Sequence, residues 1–199
     1  MQPKRKLFLG HINIANCITL LGLILSLSSC FFALIENIKL SITFLIAAGI
    51  CDLFDGVIAR KIKRTNEEKD FGIQLDTVVD VVSFGITPAV IVFTTFDVSW
   101  YALVIYAFYI ICAVTRLAYF NTSVNINTVV KYYRGLPVTY IALILPCVMI
   151  FRSSLASVIS LFVVGILYIF NINVPKPRGI WYAIFPITAI IMTILWWVL

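Results

Sequence analysis

The chain has 199 residues, of which 62% are hydrophobic and only 12% are charged, and its mean hydropathy is +1.05. This composition excludes an ordinary soluble domain and indicates several helices that span a lipid bilayer. The formal net charge is +6, but basic residues in such a chain mark membrane topology and give no reason to expect a nucleic-acid partner.

Apolar runs divide the chain into one short amphipathic segment and seven longer stretches. The segment "PKRKLFLGHINI" mixes three cations with apolar side chains, as expected of a helix that lies at the membrane interface. We predict an all-α integral membrane protein with a single domain over residues 1–199, in which about seven spans cross the ~30 Å hydrocarbon layer. The predicted spans are residues 14–35, 39–60, 71–96, 99–121, 136–151, 153–172 and 179–199.

The distribution of Lys and Arg predicts the orientation of these spans. If the spans alternate, thirteen of the fifteen basic residues fall on the side of the N-terminus, and only Lys39 and Arg152 fall on the other. Cytoplasmic segments carry such an excess. We therefore expect the N-terminus and the loops 61–70, 122–135 and 173–178 on the cytoplasmic face of the cell membrane, where their charges should attract anionic membrane lipids.

Four aspartates lie within or beside two consecutive apolar runs. Asp52 and Asp55 come near the end of the second predicted span, and Asp76 and Asp80 near the start of the third. Spacings of three and four residues place each pair on one face of its helix, and the short connecting loop makes the two helices antiparallel neighbours. The helical rise places Asp55 and Asp76 about 9 Å from the loop, with Asp52 and Asp80 about 14–15 Å from it. The spacing therefore predicts one cage of four carboxylates.

This cage predicts a metal site. A bare carboxylate inside the bilayer costs at least about 2.5–3.5 kcal/mol, so four of them need compensating charge. Oxygen ligands without nearby Cys or His favour Mg²⁺, Mn²⁺ or Ca²⁺, and the charge of four carboxylates suits two such ions. Two ions about 3.5–4 Å apart can clamp the attacking and leaving oxygens of a phosphoryl transfer. Gly56 and Gly72 would let a phosphate approach the helices closely, although helix packing is the alternative role for either glycine.

Acids inside a membrane also occur in ion pathways, so a cation or proton transporter is an alternative function. Against transport, all four aspartates are predicted in the cytoplasmic halves of their spans, and no acid marks the remaining depth. We therefore favour an enzyme.

The aspartates belong to a longer pattern with eight fixed positions. The pattern is Asp52-x-x-Asp55-Gly56-x-x-Ala59-Arg60, then Gly72-x-x-x-Asp76-x-x-x-Asp80. This pattern resembles the signature of the CDP-alcohol phosphotransferases, integral membrane enzymes that displace CMP from a CDP-linked substrate with an alcohol. The resemblance implies that Asp52, Asp55 and Asp76 hold the metal ions, and that Asp80 is a metal ligand, a general base for the acceptor, or both.

The same resemblance places the CDP-linked lipid beside the first two acids. The residues expected to contact this donor are Asn16, Thr19, Gly56, Ala59, Arg60 and Gly72. The apolar helix faces would hold the lipid tails of the donor or a second copy of the chain, and we expect a homodimer.

Three further stretches resemble the phosphatidylserine synthase subgroup of that family: "VVSFGITP" after Asp80, "RLAYFN" at 116–121 and "YYRGLPV" at 132–138. This resemblance implies that CDP-diacylglycerol, or its ether analogue, reacts with L-serine to give phosphatidylserine and CMP. Serine is zwitterionic, so its pocket needs a cation for the carboxylate and acceptors for the ammonium group. The residues expected in that pocket are Ser83, Thr87, Arg116, Lys131 and Arg134.

Ser83 and Thr87 are expected there because they continue the helix face that carries Asp76 and Asp80. Alternatives stay open for the pocket, because lone cytoplasmic cations often mark topology and hydroxyls in spans often bond their own backbone. Another acceptor, glycerol 3-phosphate or an inositol phosphate, is the alternative to serine for the same chemistry.

Overall fold

The structure is a computed structural model that describes residues 10–96, 99–123, 132–175 and 181–199. The predicted interfacial helix falls mostly on residues 1–9, outside this range. Helix α1 (Ile14–Leu34) begins at Asn13, whose side chain accepts the backbone N–H of Asn16. Helix α2 (Ile38–Lys61) begins in the same way at Asn37 and packs along α1. Such side-chain acceptors satisfy the free N–H groups at a helix start.

Helix α3 (Asn66–Asp80) begins inside the predicted loop 61–70. The reason is a capping box: the Thr65 hydroxyl accepts the N–H of Glu68, and the Glu68 carboxylate accepts the N–H of Thr65. Reciprocal capping of this kind starts a helix even in a polar segment. The connection after α2 is therefore shorter than predicted, and α3 is held close to the end of α2.

A π-helical segment (Val81–Ile86) follows Asp80 directly and leads into α4 (Thr87–Thr95). Pro88, in the first turn of α4, has no backbone N–H to donate to the Phe84 carbonyl four residues earlier. The hydroxyl of Tyr109 donates to that carbonyl instead. The chain thus accommodates a proline inside one helical stretch, Asn66–Thr95, by widening a turn.

The remaining elements pack against this group. They are α5 (Trp100–Ser123), strand β1 (Tyr132–Arg134), a 3₁₀ turn (Val138–Tyr140), α6 (Ile141–Met149), α7 (Ser154–Ile169), strand β2 (Asn173–Pro175) and α8 (Trp181–Val198). The two short strands lie in the predicted loops 122–135 and 173–178 and pair antiparallel. Gly135 follows β1 with φ +75°, and a Cβ there would collide with the Tyr168 carbonyl oxygen, so this turn requires glycine.

The prediction of an all-α membrane protein is confirmed. Four helical stretches in the described chain, Ile14–Leu34, Ile38–Lys61, Asn66–Thr95 and Trp100–Thr122, are long and apolar enough to cross a membrane. Three shorter apolar helices, Val138–Met149, Ser154–Ile169 and Ile184–Val198, coincide with the last three predicted spans. The number of helices that actually cross the bilayer stays a prediction.

The packed core lies between the helices, below the ends that carry the aspartates. Its fully buried apolar side chains include Ile42, Leu45, Ile46, Phe84, Ile91, Tyr109, Ile141, Leu145 and Leu161. Helix α1 contacts both α2 and α3, so the last turns of α2 and the body of α3 face each other beside α1.

Candidate active site

Three of the four predicted acids converge. Carboxylate oxygens of Asp52, Asp76 and Asp80 all lie within 4.8 Å of one another. Asp55, one turn further along α2, is outside this trio but lines the same cavity. Asp55 and Asp80 are only 6% and 8% exposed. The predicted cage is therefore a trio of carboxylates with a fourth in the adjoining wall.

Two threonine hydroxyls hold the carboxylates of α2. Thr19 on α1 donates its hydroxyl to Asp55 Oδ2 at 2.6 Å, and Thr139 in the 3₁₀ turn donates to Asp52 Oδ2 at 2.7 Å. Hydrogen bonds to a charged acceptor are stronger than neutral ones and fix its orientation. Elements far apart in the sequence therefore aim the α2 carboxylates at the cavity.

The donor set fits a divalent cation. It consists of carboxylate oxygens only, the ligands that Mg²⁺, Mn²⁺ and Ca²⁺ prefer. Like charges this close repel one another strongly in a low-dielectric interior. Arg116, which is 7% exposed, lines the same cavity as the trio and contributes one positive charge. With the exposed Arg60 of the same cavity, two arginines against four carboxylates still leave an excess of negative charge that a bound metal would offset.

The cavity beside the trio has a volume of about 300 Å³, within the range of small-molecule sites. Its walls come from α2, α3, α5, the 3₁₀ turn and α8. Besides the four aspartates, the lining includes Gly56, Arg60, Thr77, Arg116, Phe120, Asn121, Thr139, Tyr140 and Phe185. Polar and aromatic groups thus face the acids across a single space.

Only some of the residues expected at the donor lipid line the cavity beside the aspartates. Gly56 and Arg60 line the cavity, and a Cβ on Gly56 would come no closer than 3.9 Å to Arg60 Nη1. Thr19 reaches the site through Asp55. Ala59 is half-buried on α2 and does not line the cavity. Gly56 is therefore the glycine that leaves room beside the acids.

Gly72 makes room for protein side chains. A Cβ at this position would lie 3.1 Å from Arg64 Nη1 and 3.2 Å from Asn16 Oδ1. Asn16 is 4% exposed and donates its amide to the His11 carbonyl at 2.7 Å. The Nε of Arg64 is buried and has no hydrogen-bond partner among the described residues. Arg64, which the sequence did not single out, is thus a cation beside Gly72, the residue one helical turn before Asp76, and its Nε–H has no acceptor among the described residues.

The residues expected at the serine pocket likewise lie in different parts of the structure. The Ser83 hydroxyl accepts a hydrogen bond from the Ser26 hydroxyl at 2.7 Å, and Ser83 lines a small void together with the four aspartates. Thr87 is fully buried and donates to the Val82 carbonyl at 2.9 Å. Arg116 lines the cavity beside the trio, whereas Arg134 is exposed and donates to the Tyr119 hydroxyl at 2.8 Å. Lys131 lies outside the described residues.

Arg116 also connects the site to a second cavity of about 300 Å³. Tyr119, Arg134 and the segment 168–171 line this neighbouring space. The Arg116 guanidinium carbon lies 5.5 Å from the centre of the Phe120 ring, within the range of a cation–π contact. Of the cations predicted at the serine pocket, Arg116 is therefore the one that the described structure places beside the carboxylates.

A buried tyrosine pair joins the parts of the site. Tyr109 donates to the Phe84 carbonyl in the π-helical segment, and its hydroxyl lies 3.2 Å from that of Tyr168. Tyr168 also donates to the Val138 carbonyl at 3.1 Å, one residue before Thr139. The segment after Asp80 and the turn that holds Asp52 are thereby tied to the same two side chains.

Comparison with known proteins gives a consistent family. The family model described as CDP-alcohol phosphatidyltransferase matches residues 12–198. A protein of Methanocaldococcus jannaschii named CDP-diacylglycerol–serine O-phosphatidyltransferase is 36% identical over 180 residues, which cover 89% of this chain and 81% of that protein.

Two further proteins carry the same name. The one from Mycobacterium leprae is 34% identical over 67% of this chain and 44% of its own length, and the one from Saccharomyces cerevisiae is 33% identical over 68% and 53%. The chain thus spans most of the archaeal relative and about half of the other two.

Proposed function

The chain belongs to the CDP-alcohol phosphatidyltransferase family, and we propose that it transfers a phosphatidyl group from a CDP-linked lipid to L-serine. The observation that carries the proposal is the convergence of Asp52, Asp76 and Asp80 on one cavity beside Arg116. The choice of serine is supported by the relatives named as serine transferases and by the three stretches that resemble that subgroup.

We assign the metal site to the four aspartates. Asp52, Asp55, Asp76 and Asp80 would hold two Mg²⁺ or Mn²⁺ ions, which when bound neutralise the pyrophosphate and stabilise the charge of departing CMP. Thr19 and Thr139 keep the carboxylates of Asp55 and Asp52 in position through their hydroxyl donors.

In the proposed reaction the serine hydroxyl oxygen attacks the phosphorus that carries the diacylglycerol. A new P–O bond to serine forms, and the bond between that phosphorus and the oxygen of CMP breaks with its electron pair going to CMP. The serine hydroxyl proton passes to the carboxylate of Asp80, which lies 8% exposed at the inner wall of the site. A positioned base of this kind contributes roughly 10²–10⁴-fold to a rate.

Substrate contacts follow from the cavity walls. Gly56 and Arg60, which line the cavity, would accommodate the cytidine diphosphate on the side of α2, and Arg64 beside Gly72 would supply a second cation for phosphate. Arg116 would bind the serine carboxylate, and Ser83 would line the end of the site beneath the aspartates. Arg134, which lines the neighbouring cavity, and Lys131 would then be secondary partners of the serine carboxylate, while the fully buried Thr87 would support the core.

We propose that the site faces the cytoplasm in the cell membrane, because thirteen of the fifteen Lys and Arg residues fall on that side if the spans alternate. A homodimer remains part of the proposal and can be checked by chemical crosslinking in membranes.

The test is an acceptor panel with purified protein, Mg²⁺ or Mn²⁺ and CDP-diacylglycerol. Release of CMP should depend on L-serine, and phosphatidylserine should form in equal amount. Release that depends on glycerol 3-phosphate or an inositol phosphate would contradict the serine assignment but keep the chemistry. No release with any acceptor would contradict the enzyme class, and ion flux into liposomes without CDP-lipid would favour transport.

A further inference from the structure

A separate cavity of about 590 Å³ lies at the opposite end of the helices from the aspartates. It is lined by the α1–α2 turn and by residues near the C-terminal ends of α4, α6 and α8. Lys39 in its wall and Asp55 in the active site lie sixteen residues apart on α2. The helical rise separates them by about 24 Å along the axis, so the two sites are distinct.

The charged residues of this cavity are unusual for their side of the protein. Lys39 and Arg152, the two basic residues that alternating spans place away from the aspartates, both line it. Glu36 also lines the cavity and adds one negative charge. Because basic residues are depleted on the non-cytoplasmic side of membrane proteins, their meeting in one cavity points to an anionic ligand.

The backbone supports a specific placement of these charges. Glu36 and Arg152 have φ values of 61° and 47°, and they are the non-glycine residues with positive φ in the part of the chain that the structure describes. Both residues lie just past the end of a helix, where a residue with positive φ commonly closes the last turn; the N–H of Asn37 bonds the Phe32 carbonyl, and that of Arg152 bonds the Met149 carbonyl. Two turns therefore present charged side chains at positions where glycine would fold more easily.

Below the charges, the cavity wall is apolar. Ile35, Phe96, Met149 and Trp196 line it, and the indole N–H of Trp196 donates to the Pro146 carbonyl at 3.2 Å. An apolar wall beneath charged groups, with a tryptophan at the end of a membrane helix, matches the depth at which a phospholipid headgroup joins its acyl chains. The ligand is therefore expected to be a lipid and not a free anion.

We propose that this cavity binds a phospholipid of the opposite leaflet whose headgroup is an amino acid. Its phosphodiester and carboxylate would pair with Lys39 and Arg152, and its ammonium group would pair with Glu36. The net charge of +1 on the three side chains complements the net charge of −1 on such a headgroup. The inference stands on this cavity and does not depend on the proposed reaction.

The experiment is native mass spectrometry of the full chain in detergent, titrated with short-chain phosphatidylserine, phosphatidylglycerol and phosphatidylcholine, and with water-soluble glycerophosphoserine. Wild-type protein should bind one phosphatidylserine more than the double variant Lys39→Gln, Arg152→Gln. In the double variant, the affinity of this cavity for phosphatidylserine should fall at least tenfold. Lys63→Gln, which removes an exposed cation elsewhere, is the matched control and should bind as wild type does.

Further variants keep the proposal open to refutation. Lys39→Arg with Arg152→Lys preserves both positive charges and should bind the additional lipid as wild type does. Such binding would show that the double variant loses the lipid because it loses charge. Glu36→Gln should reduce the preference for phosphatidylserine over phosphatidylglycerol. Equal binding of these two lipids by wild type, binding of glycerophosphoserine as tight as that of the lipid, or unchanged binding by the double variant would each overturn the proposal. Release of CMP by the double variant should equal that of wild type, which separates this site from the catalytic one.

Discussion

Replacing Thr139 with valine tests whether the carboxylate trio must be held in place. The substitution keeps the shape of the side chain and removes the hydroxyl that donates to Asp52 Oδ2 at 2.7 Å. A hydrogen bond to a charged group contributes about 1.5–3 kcal/mol. Since about 1.4 kcal/mol corresponds to a tenfold change in rate, we expect kcat/KM for CMP release to fall by about 10- to 100-fold.

The same variant should bind metal less tightly. Loss of a group that orients a metal ligand typically lowers metal affinity by about 10- to 100-fold. The assay is CMP release titrated with Mn²⁺, which separates a rise in the Mn²⁺ concentration at half-maximal activity from a fall in the maximal rate. Thr139→Ser retains the hydroxyl and should recover most of the activity.

Thr193→Val is the matched control, because the Thr193 hydroxyl donates to the Ala189 carbonyl of its own helix at 2.9 Å, away from the aspartates. This variant should keep wild-type activity and metal dependence. If Thr139→Val released CMP within twofold of wild type at every Mn²⁺ concentration, the hydrogen bond to Asp52 would have no part in positioning the site.

Three other substitutions test separate parts of the account. Asp80→Asn should lower kcat by at least about 10²-fold, as expected for loss of a general base, while binding of CDP-lipid measured by equilibrium dialysis is retained; near-normal turnover would remove Asp80 from the mechanism. Gly72→Ala places a methyl group 3.1 Å from Arg64 Nη1. Displacement of the guanidinium should weaken donor binding by about 1 kcal/mol, which raises the KM for CDP-lipid about fivefold with little change in kcat, and an unchanged KM would contradict the claim that the position of Arg64 matters for donor binding. Tyr109→Phe leaves the Phe84 carbonyl without its donor and should destabilise the fold by about 1–3 kcal/mol, seen as a lower midpoint of thermal unfolding; an unaltered midpoint would contradict the bridging role.

The placement of the acids could be predicted from local spacing alone. Asp52 and Asp76 lie on consecutive helices joined by a short connection, so helical periodicity and antiparallel packing were enough to bring them together. Thr19 was singled out through the resemblance, and the structure gives it a direct bond to Asp55.

Hydrogen bonds between residues far apart in the chain could not be predicted from the sequence in the same way. Thr139 bonds an aspartate 87 residues earlier in the chain, and no periodicity links positions so far apart. The stretch "YYRGLPV" ends one residue before Thr139, so the resemblance pointed to the right turn without identifying the residue. The role of Arg64 was missed for another reason: basic residues in a loop next to a membrane span normally only mark membrane topology.

The π-helical segment explains why Thr87 does not share the face of the aspartates. The prediction assumed an uninterrupted α-helix after Asp80, whereas the widened turn at Val81–Ile86 changes the number of residues per turn. Ser83 still lies under the acids, but Thr87 is fully buried and bonds the Val82 carbonyl. Pro88 was the signal in the sequence, since a proline inside a span removes a helical hydrogen bond.

The most direct measurement of the central claim is serine-dependent CMP release by purified protein that has been stripped of metal with a chelator and then dialysed. The stripped protein should be inactive, and added Mg²⁺ or Mn²⁺ should restore release in wild type but not in a variant with both Asp52→Asn and Asp76→Asn. Undiminished release by the stripped protein, or equal recovery in the double variant, would contradict the claim that anionic side chains of α2 and α3 hold the catalytic ions.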